Sequence, residues 1–189
     1  MSRTVPNIEC NYIGVFNNKC NYVIPTTEGV QVHRMPPCAK GGDTYQVIAD
    51  LEATPEECFD AITDFELMQT TSSVIKEIIV HKRDEEGATI EMRLHPEIDS
   101  GTFYYRYAFD RKNTQMFFWM YDYKGPKRQW YAINVETRVY SFGKISRIIL
   151  TETFVMEKGI PNADATGLFT GVAHDMINRT KKRREMKKK

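Results

Sequence analysis

Seven stretches of the chain have the alternating or continuously apolar pattern of β-strands. The first is Thr44–Leu51, and the others, after an interval of helical pattern, are Val74–Arg83, Ala88–His95, Thr102–Asp110, Thr114–Tyr123, Gln129–Tyr140 and Ile145–Glu157. The connections within this second group are only a few residues long, whereas a parallel crossover needs a dozen or more. The pattern therefore predicts antiparallel neighbours in one sheet.

Helical patterns interrupt and close this series of strands. One helix is predicted to begin at Thr54, a good N-cap residue, with Pro55 at the first helical position and Glu57 at the third. The segment "ELMQTTSS" predicts a short second helix or an irregular link. The last helix is predicted from about Asp164 to Met186, with an apolar face at four-residue spacing. At about 1.5 Å per residue it spans ~33 Å, enough to cross the sheet.

These elements predict an α+β fold in which a curved seven-stranded antiparallel sheet wraps around the long C-terminal helix, with two short helices after the first strand. Such a sheet cannot bury its concave side alone, and the closing helix would cover it. We assign residues 44–180 to this domain and residues 181–189 to a basic tail. Residues 1–43 form an N-terminal arm, with a candidate hairpin that turns at Asn17-Asn18.

Three segments carry a resemblance to a known family: "IADLEATPEECFDAITDFE", "VIKEIIVHKRDEEGATIEMRL" and "GIPNADATGLFTGVAHDMINRTKKRRE". Together with the element order, they resemble the helix-grip fold of the START-like (SRPBCC) superfamily, in its polyketide cyclase/dehydrase or coenzyme-Q-binding-protein-like branch. The likeness spans residues 44–185 and departs from the family at "LMQTTSS", where such proteins often carry Trp and Pro. It implies a cavity between sheet and C-terminal helix that holds a hydrophobic ligand.

The alternation within strands predicts which side chains face that cavity. A turn at "SFGK" would pair Thr137 with Ile148, Val135 with Leu150, Ile133 with Glu152 and Tyr131 with Phe154. A three-residue "RKN" loop would pair Tyr107 with Phe117, Tyr105 with Trp119 and Phe103 with Tyr121. The predicted ligand-binding residues are Met92, Leu94, Phe103, Tyr105, Tyr107, Trp119, Tyr131, Ile133, Val135, Leu150, Glu152, Phe169, Val172 and Met176.

The same register leaves large apolar residues on the outer face. Met116, Phe118, Met120 and Trp130 are predicted to form an interface, which the arm, a second copy or another protein would cover. Glu152, in contrast, is predicted on the inner face among apolar neighbours, where a carboxylate must be paired, hydrogen-bonded or protonated. Two interpretations of Glu152 stay open: a functional group (ligand anchor or general acid/base) or a satisfied core residue.

Charge is distributed unevenly along the chain. The last nine residues carry seven positive charges and one negative charge, so the net charge of +1 leaves −5 for residues 1–180. A nucleic-acid partner is therefore not expected, because such domains are usually basic. Lys181–Lys189 could be a solvated helix end, a nuclear-import segment or a contact for an anionic membrane surface.

Motifs for catalysis, metal binding and secretion are missing from the sequence. Cys10, Cys20, His33 and Cys38 lack the close ligand pairs typical of zinc sites, so neither a metal nor a cofactor is expected. Free thiols and the lack of a secretory signal predict an intracellular location, with the cytoplasm favoured and mitochondria or nucleus left open.

The function that we expect from the sequence is that of a non-catalytic binder or carrier of a lipid, quinone or isoprenoid. The alternative is a structural or assembly subunit, and a cyclase-type enzyme is less favoured.

Overall fold

The computed structural model describes residues 24–25, 30–36, 42–126, 130–156 and 162–188. The strands are β1 (Ile24–Pro25), β2 (Val30–Met35), β3 (Asp43–Leu51), β4 (Ile75–Asp84), β5 (Gly87–Leu94), β6 (Thr102–Asp110), β7 (Gln115–Lys124), β8 (Trp130–Phe142) and β9 (Ile145–Met156). The helices are α1 (Pro55–Ile62), α2 (Phe65–Thr71) and α3 (Asn162–Lys187).

All the strands join one curved antiparallel sheet in the order β1-β2-β3-β9-β8-β7-β6-β5-β4. The predicted strands correspond to β3–β9 and the predicted helices to α1–α3, so the predicted architecture is confirmed. Within the described ranges the sheet has nine strands rather than seven, because β2 from the predicted arm pairs along β3 and β1 pairs with β2. The candidate hairpin at Asn17-Asn18 lies outside the described residues.

Helix α1 begins with the predicted capping box. The Glu57 amide donates to the Thr54 hydroxyl at 3.2 Å, and the Thr54 amide donates to the Glu57 carboxylate at 2.9 Å. Asp64 caps α2 in turn, accepting from the Leu67 amide at 3.0 Å. These caps satisfy amides that the first turns leave without intrahelical partners. They fix both short helices at the end of β3, where they contact α3.

Helix α3 lies on the concave side of the sheet, against β2, β3, α1 and α2. Its inner face buries Phe169, Ala173, Met176 and Ile177 in the single core formed with the sheet. Phe169 stacks on Tyr45 of β3, with ring centroids 4.7 Å apart. The apolar spacing along this helix therefore matches the surface that it covers.

The predicted register between β8 and β9 is wrong by two residues. Phe142 pairs with Ile145 across a two-residue turn, and Gly143 adopts the left-handed conformation (φ 68°) that such turns favour. Val135 consequently lies opposite Glu152, and Thr137 opposite Leu150. A shift of two residues preserves the faces. Tyr131 is the exception: it lies at a bulge between Trp130 and Ala132 and is 49% exposed, so its predicted inward position is wrong.

The predicted register between β6 and β7 is wrong by one residue, which reverses β7. The connection is longer than "RKN", because Thr114 also belongs to it, in a left-handed conformation (φ 48°), and β7 starts at Gln115 opposite Asp110. Asp110 closes this turn by accepting from the Asn113 amide at 3.1 Å. Trp119, predicted to face the cavity, therefore lies on the outer face opposite Arg106.

Tyr123, near the C-terminal end of β7, forms a hydrogen bond with the segment that precedes β6. Its hydroxyl donates to Asp99 at 2.9 Å, and Asp99 also accepts from the Gly101 amide at 2.6 Å. Burial is the main cause that raises the pKa of Tyr123 to about 12, and the hydrogen bond to Asp99 adds to it. A Cβ atom at Gly101 would lie 2.4 Å from the Tyr123 ring, so any larger residue there requires the ring to move.

We expect Gly101→Ala to lower the free energy of unfolding by about 1–3 kcal/mol. The added methyl group displaces the Tyr123 ring, which costs the bond to Asp99 and the contact with Phe103, 4.9 Å between ring centroids. Urea denaturation measures the change. Gly167→Ala is the control, because no atom lies within 4 Å of the added Cβ and the helix gains propensity. Equal effects at both positions would contradict this packing.

Candidate ligand-binding site

The inner face of the sheet and α3 carries most of the predicted ligand-binding residues. These are Met92, Leu94, Phe103, Tyr105, Tyr107, Ile133, Val135, Leu150, Phe169, Val172 and Met176, which all belong to or pack against one apolar cluster. The reversal of β7 adds Met116, Phe118 and Met120 to the same face. The Phe118 ring stacks on Tyr107 with centroids 4.7 Å apart. The predicted interface role of these three residues is therefore wrong, because they pack inward.

Glu152 lies on this inner face, opposite Tyr45 of β3 and Val135 of β8. Protein atoms surround its carboxyl group, and this burial raises its pKa to about 7. Its side chain is nevertheless only half-buried, and it has no hydrogen-bond or ion-pair partner among the described residues. The Glu152 carboxyl group thus lies in apolar surroundings without a hydrogen bond or ion pair from the described residues.

Two tyrosines of β6 lie near Glu152. Tyr105 and Tyr107 are buried, and burial is the main cause that raises the pKa of each hydroxyl. The Glu152 charge raises both pKa values further, and it is the leading electrostatic cause at Tyr105. At Tyr107 the leading electrostatic cause is Arg179 of α3, which acts in the opposite direction. The Tyr107 hydroxyl thus lies within electrostatic reach of both the Glu152 carboxyl group and the Arg179 guanidinium, on an otherwise apolar face.

Arg179 was not predicted from the sequence. It is 6% exposed, although it lies on a helix whose following residues are mostly cationic and exposed. Helical spacing could have placed Arg179 on the apolar face, because it follows Met176 by three residues and Val172 by seven and therefore lies on the same side of α3. The basic composition of residues 181–189 concealed this signal.

The outer face of β6 and β7 carries a different aromatic group from the one predicted. Tyr104, Phe117 and Trp119 are half-buried there, and Tyr121 is 43% exposed. The Arg106 guanidinium lies 4.9 Å from the Tyr121 ring centroid, and the Lys124 ammonium lies 4.8 Å from that of Tyr104. The side chain of Trp130 lies outside the description. The outer face is thus both aromatic and cationic.

The basic run continues as part of α3 and pairs with acidic residues of α1 and with Asp64, the cap of α2. Arg183 binds the carboxylates of Asp64 and Asp60, and Lys187 lies 3.7 Å from Asp60. Arg184 lies 3.5 Å from the Glu57 carboxylate. These contacts oppose positive to negative charge across the two helices, which attaches the end of α3 to the domain.

A surface groove of about 560 Å³ lies between the end of β3 and α3. Asp50, Glu52, His174, Lys181 and Arg184 are among its lining residues. This lining is mostly polar and charged, which does not suit an apolar ligand. The groove is thus separate from the site around Glu152.

Two further features of the described residues bear on function. None of the helices in these ranges is both long enough and apolar enough to cross a membrane. No group of His, Cys, Asp or Glu side chains in the same ranges is arranged to hold a metal ion. Cys10, Cys20 and Cys38 lie outside the description, while Cys58 is a free, buried thiol whose pKa burial raises to about 11.

In the described part of the chain, a nine-stranded antiparallel sheet closes around a C-terminal helix, which is the helix-grip fold of START-like (SRPBCC) proteins. A START superfamily protein from Mycobacterium smegmatis has a similar structure, with a TM-score of 0.63 and 13% identity over 75% of this chain and 99% of that one. The Zhui aromatase/cyclase from Streptomyces sp. R1128 is similar with a TM-score of 0.60 and 8% identity, over 74% of this chain and 94% of that one.

The protein Ara h 8.0201 is similar as well, with a TM-score of 0.57 and 16% identity over 74% of this chain and 98% of that one. No family model matches the sequence, and no curated protein matches it. The likeness is thus one of fold, and the function has to be argued from the site.

Proposed function

We propose that this chain binds or carries a hydrophobic small molecule, such as a lipid, quinone or isoprenoid, between its sheet and α3, without catalysing a reaction on it. The observation that carries the proposal is Glu152, a deep carboxyl group on the apolar inner face that has no partner among the described residues. Aromatic and aliphatic side chains of the core surround this carboxyl group on the inner face. Mostly apolar linings with a few polar groups are typical of small-molecule sites.

A cyclase-type activity is the less favoured reading, although one similar structure is that of an aromatase/cyclase. Glu152 has a pKa near 7, which would suit a general acid or base. Proton transfer also needs a positioned relay, and neither Tyr105 nor Tyr107 has a hydrogen-bond partner among the described residues. Binding without reaction requires only the space and its lining.

Native mass spectrometry of protein purified without detergent or organic solvent tests this proposal. We expect a population above the polypeptide mass, and solvent extraction should release an apolar compound. Val135→Phe adds bulk on the inner face opposite Glu152 and should reduce the bound population, whereas Val155→Phe on the outer face is the matched control. Circular dichroism verifies that both variants fold. Only the bare polypeptide mass in the wild-type protein would count against a carrier.

The second candidate function is a structural or assembly subunit that docks through its outer sheet face. The observation that favours it is the aromatic group of Tyr104, Phe117, Trp119 and Tyr121, which replaces the one predicted from the sequence. Aromatic residues with nearby arginine are enriched at protein interfaces. A larger assembly in a gentle native extract, lost in a Trp119→Ser/Tyr121→Ser variant, would support it. Strictly monomeric behaviour in that extract would contradict it.

A further inference from the structure

Arg179 is a buried cation whose usual partners are engaged elsewhere. Its Nε donates to the Asp175 carbonyl of its own helix at 3.3 Å, while one terminal nitrogen has no partner among the described residues. Asp64 lies near enough to act on its charge, but that carboxylate caps α2 and binds Arg183. Burial lowers the pKa of Arg179 to about 10, against the opposing influence of Asp175, Tyr107 and Asp64, so the side chain remains charged at neutral pH.

Glu152 does not neutralise this cation. Neither group is among the causes of the other's pKa shift, so the two do not form an ion pair. Both groups act on the Tyr107 hydroxyl, so each lies within electrostatic reach of it. A buried charge without a partner is destabilising, and a protein retains one where a ligand or a function compensates for it.

We propose that Arg179 is the head-group anchor of the internal site and that the ligand is an amphipath with one acidic group, such as a carboxylate, on a hydrocarbon or polycyclic body. This inference rests on the proposed function and specifies its ligand class. The acidic group would accept hydrogen bonds from the Arg179 guanidinium and the Tyr107 hydroxyl. The hydrocarbon part would lie along Tyr105, Phe118 and Met176, which line the same inner face.

Charge-assisted hydrogen bonds to a guanidinium are about twice as strong as neutral ones, which gives the acid an advantage over an alcohol of the same shape. Glu152 is the nearby group that could oppose an anion, and in its protonated form it instead offers a hydrogen-bond donor. The site therefore favours a ligand with a single acidic group, which would lie next to the uncharged carboxyl group of Glu152. A zwitterionic or cationic ligand would be disfavoured.

Two matched pairs of probes test the inference by isothermal titration calorimetry: oleate with oleyl alcohol, and 1-pyrenebutyrate with 1-pyrenebutanol. We expect the wild-type protein to bind the acid of at least one pair about tenfold more tightly than its alcohol. Arg179→Met should remove this preference and leave the affinity for the alcohol unchanged. Arg93→Met is the control, because Arg93 is an exposed residue of β5 paired with Glu77 and Glu91, and it should retain the preference.

The outcomes separate the two proposals. Alcohols that bind as tightly as their acids, or a preference for acids that survives Arg179→Met, would overturn the role of Arg179 and leave a hydrophobic site intact. Failure of all four probes would overturn both. The wild-type comparison of acid with alcohol needs no variant, so the inference stays testable even if Arg179→Met does not fold.

Discussion

Phe169→Ala is expected to lower the free energy of unfolding by about 3–5 kcal/mol, the largest effect that we predict for a single substitution. Phe169 is 1% exposed, and its ring stacks on Tyr45 at 4.7 Å and on Phe154 at 6.2 Å between centroids. Truncation therefore removes the aromatic contacts that join α3 to β3 and β9 and leaves a cavity between them. Urea denaturation monitored by circular dichroism measures the loss.

Leu168→Ala is the matched control for this substitution. Leu168 precedes Phe169 on the same turn of α3 but is 37% exposed, so its truncation should cost less than about 1 kcal/mol. A large difference between the two neighbours is the signature of a helix held on one face by the sheet. Similar small losses at both positions would mean that α3 does not pack on the sheet as described.

Glu152→Gln is expected to remove a pH dependence from the stability of the protein. The folded state keeps the Glu152 proton up to about pH 7, whereas the unfolded state releases it near pH 4.5. The contribution to stability is therefore complete below pH 4.5 and is lost as the pH rises to about 7. Because the side chain is partly accessible, we expect the free energy of unfolding of the wild-type protein to fall by about 2–3 kcal/mol relative to Glu152→Gln between pH 5 and pH 8.

Glu136→Gln provides the comparison. Glu136 is half-buried on the outer face of β8, where it accepts hydrogen bonds from Arg138 and from Gln115, the latter at 2.6 Å. This variant should keep the wild-type fall in stability between pH 5 and pH 8. Parallel pH profiles for the wild-type protein and Glu152→Gln would contradict a deep, unpartnered carboxyl group at this position.

The sequence was sufficient to predict the elements and their order. The box of Thr54 and Glu57 marked the start of α1, and period-two alternation marked the strands, because these signals are local. The register depended on details that the pattern does not contain. The turn before β7 includes Thr114 in a left-handed conformation, which β-branched residues rarely adopt, and this one extra residue reversed the faces of β7.

The candidate site could be predicted in part. The inner positions of Tyr105, Tyr107 and Glu152 followed from strand alternation and survived a two-residue error in the β8–β9 register. Trp119 and Met116 exchanged faces because β7 is apolar on both sides, so its alternation gave no preference. Arg179 was missed because a cation on an apolar helix face contradicts the hydrophobic pattern from which the face was deduced.

The polar groups of the site lower the stability of a core that is otherwise well packed. Glu152 and Arg179 would each be less costly as apolar residues of similar volume, since neither has a charged partner in the described chain. Local destabilisation of this kind is common where residues serve binding rather than folding. The expected pattern is that variants at both positions gain stability, whereas only those at Arg179 lose affinity for an acidic amphipath.

The most direct test is a methyl NMR titration of the isotopically labelled protein with oleate. We predict saturable shifts for the methyl groups of Val135, Leu150 and Met176, which line the inner face, and unchanged signals for Ile48 and Ile79 on the outer face. Shifts confined to the outer-face residues, or signals that do not respond at saturating oleate, would contradict a ligand site between the sheet and α3.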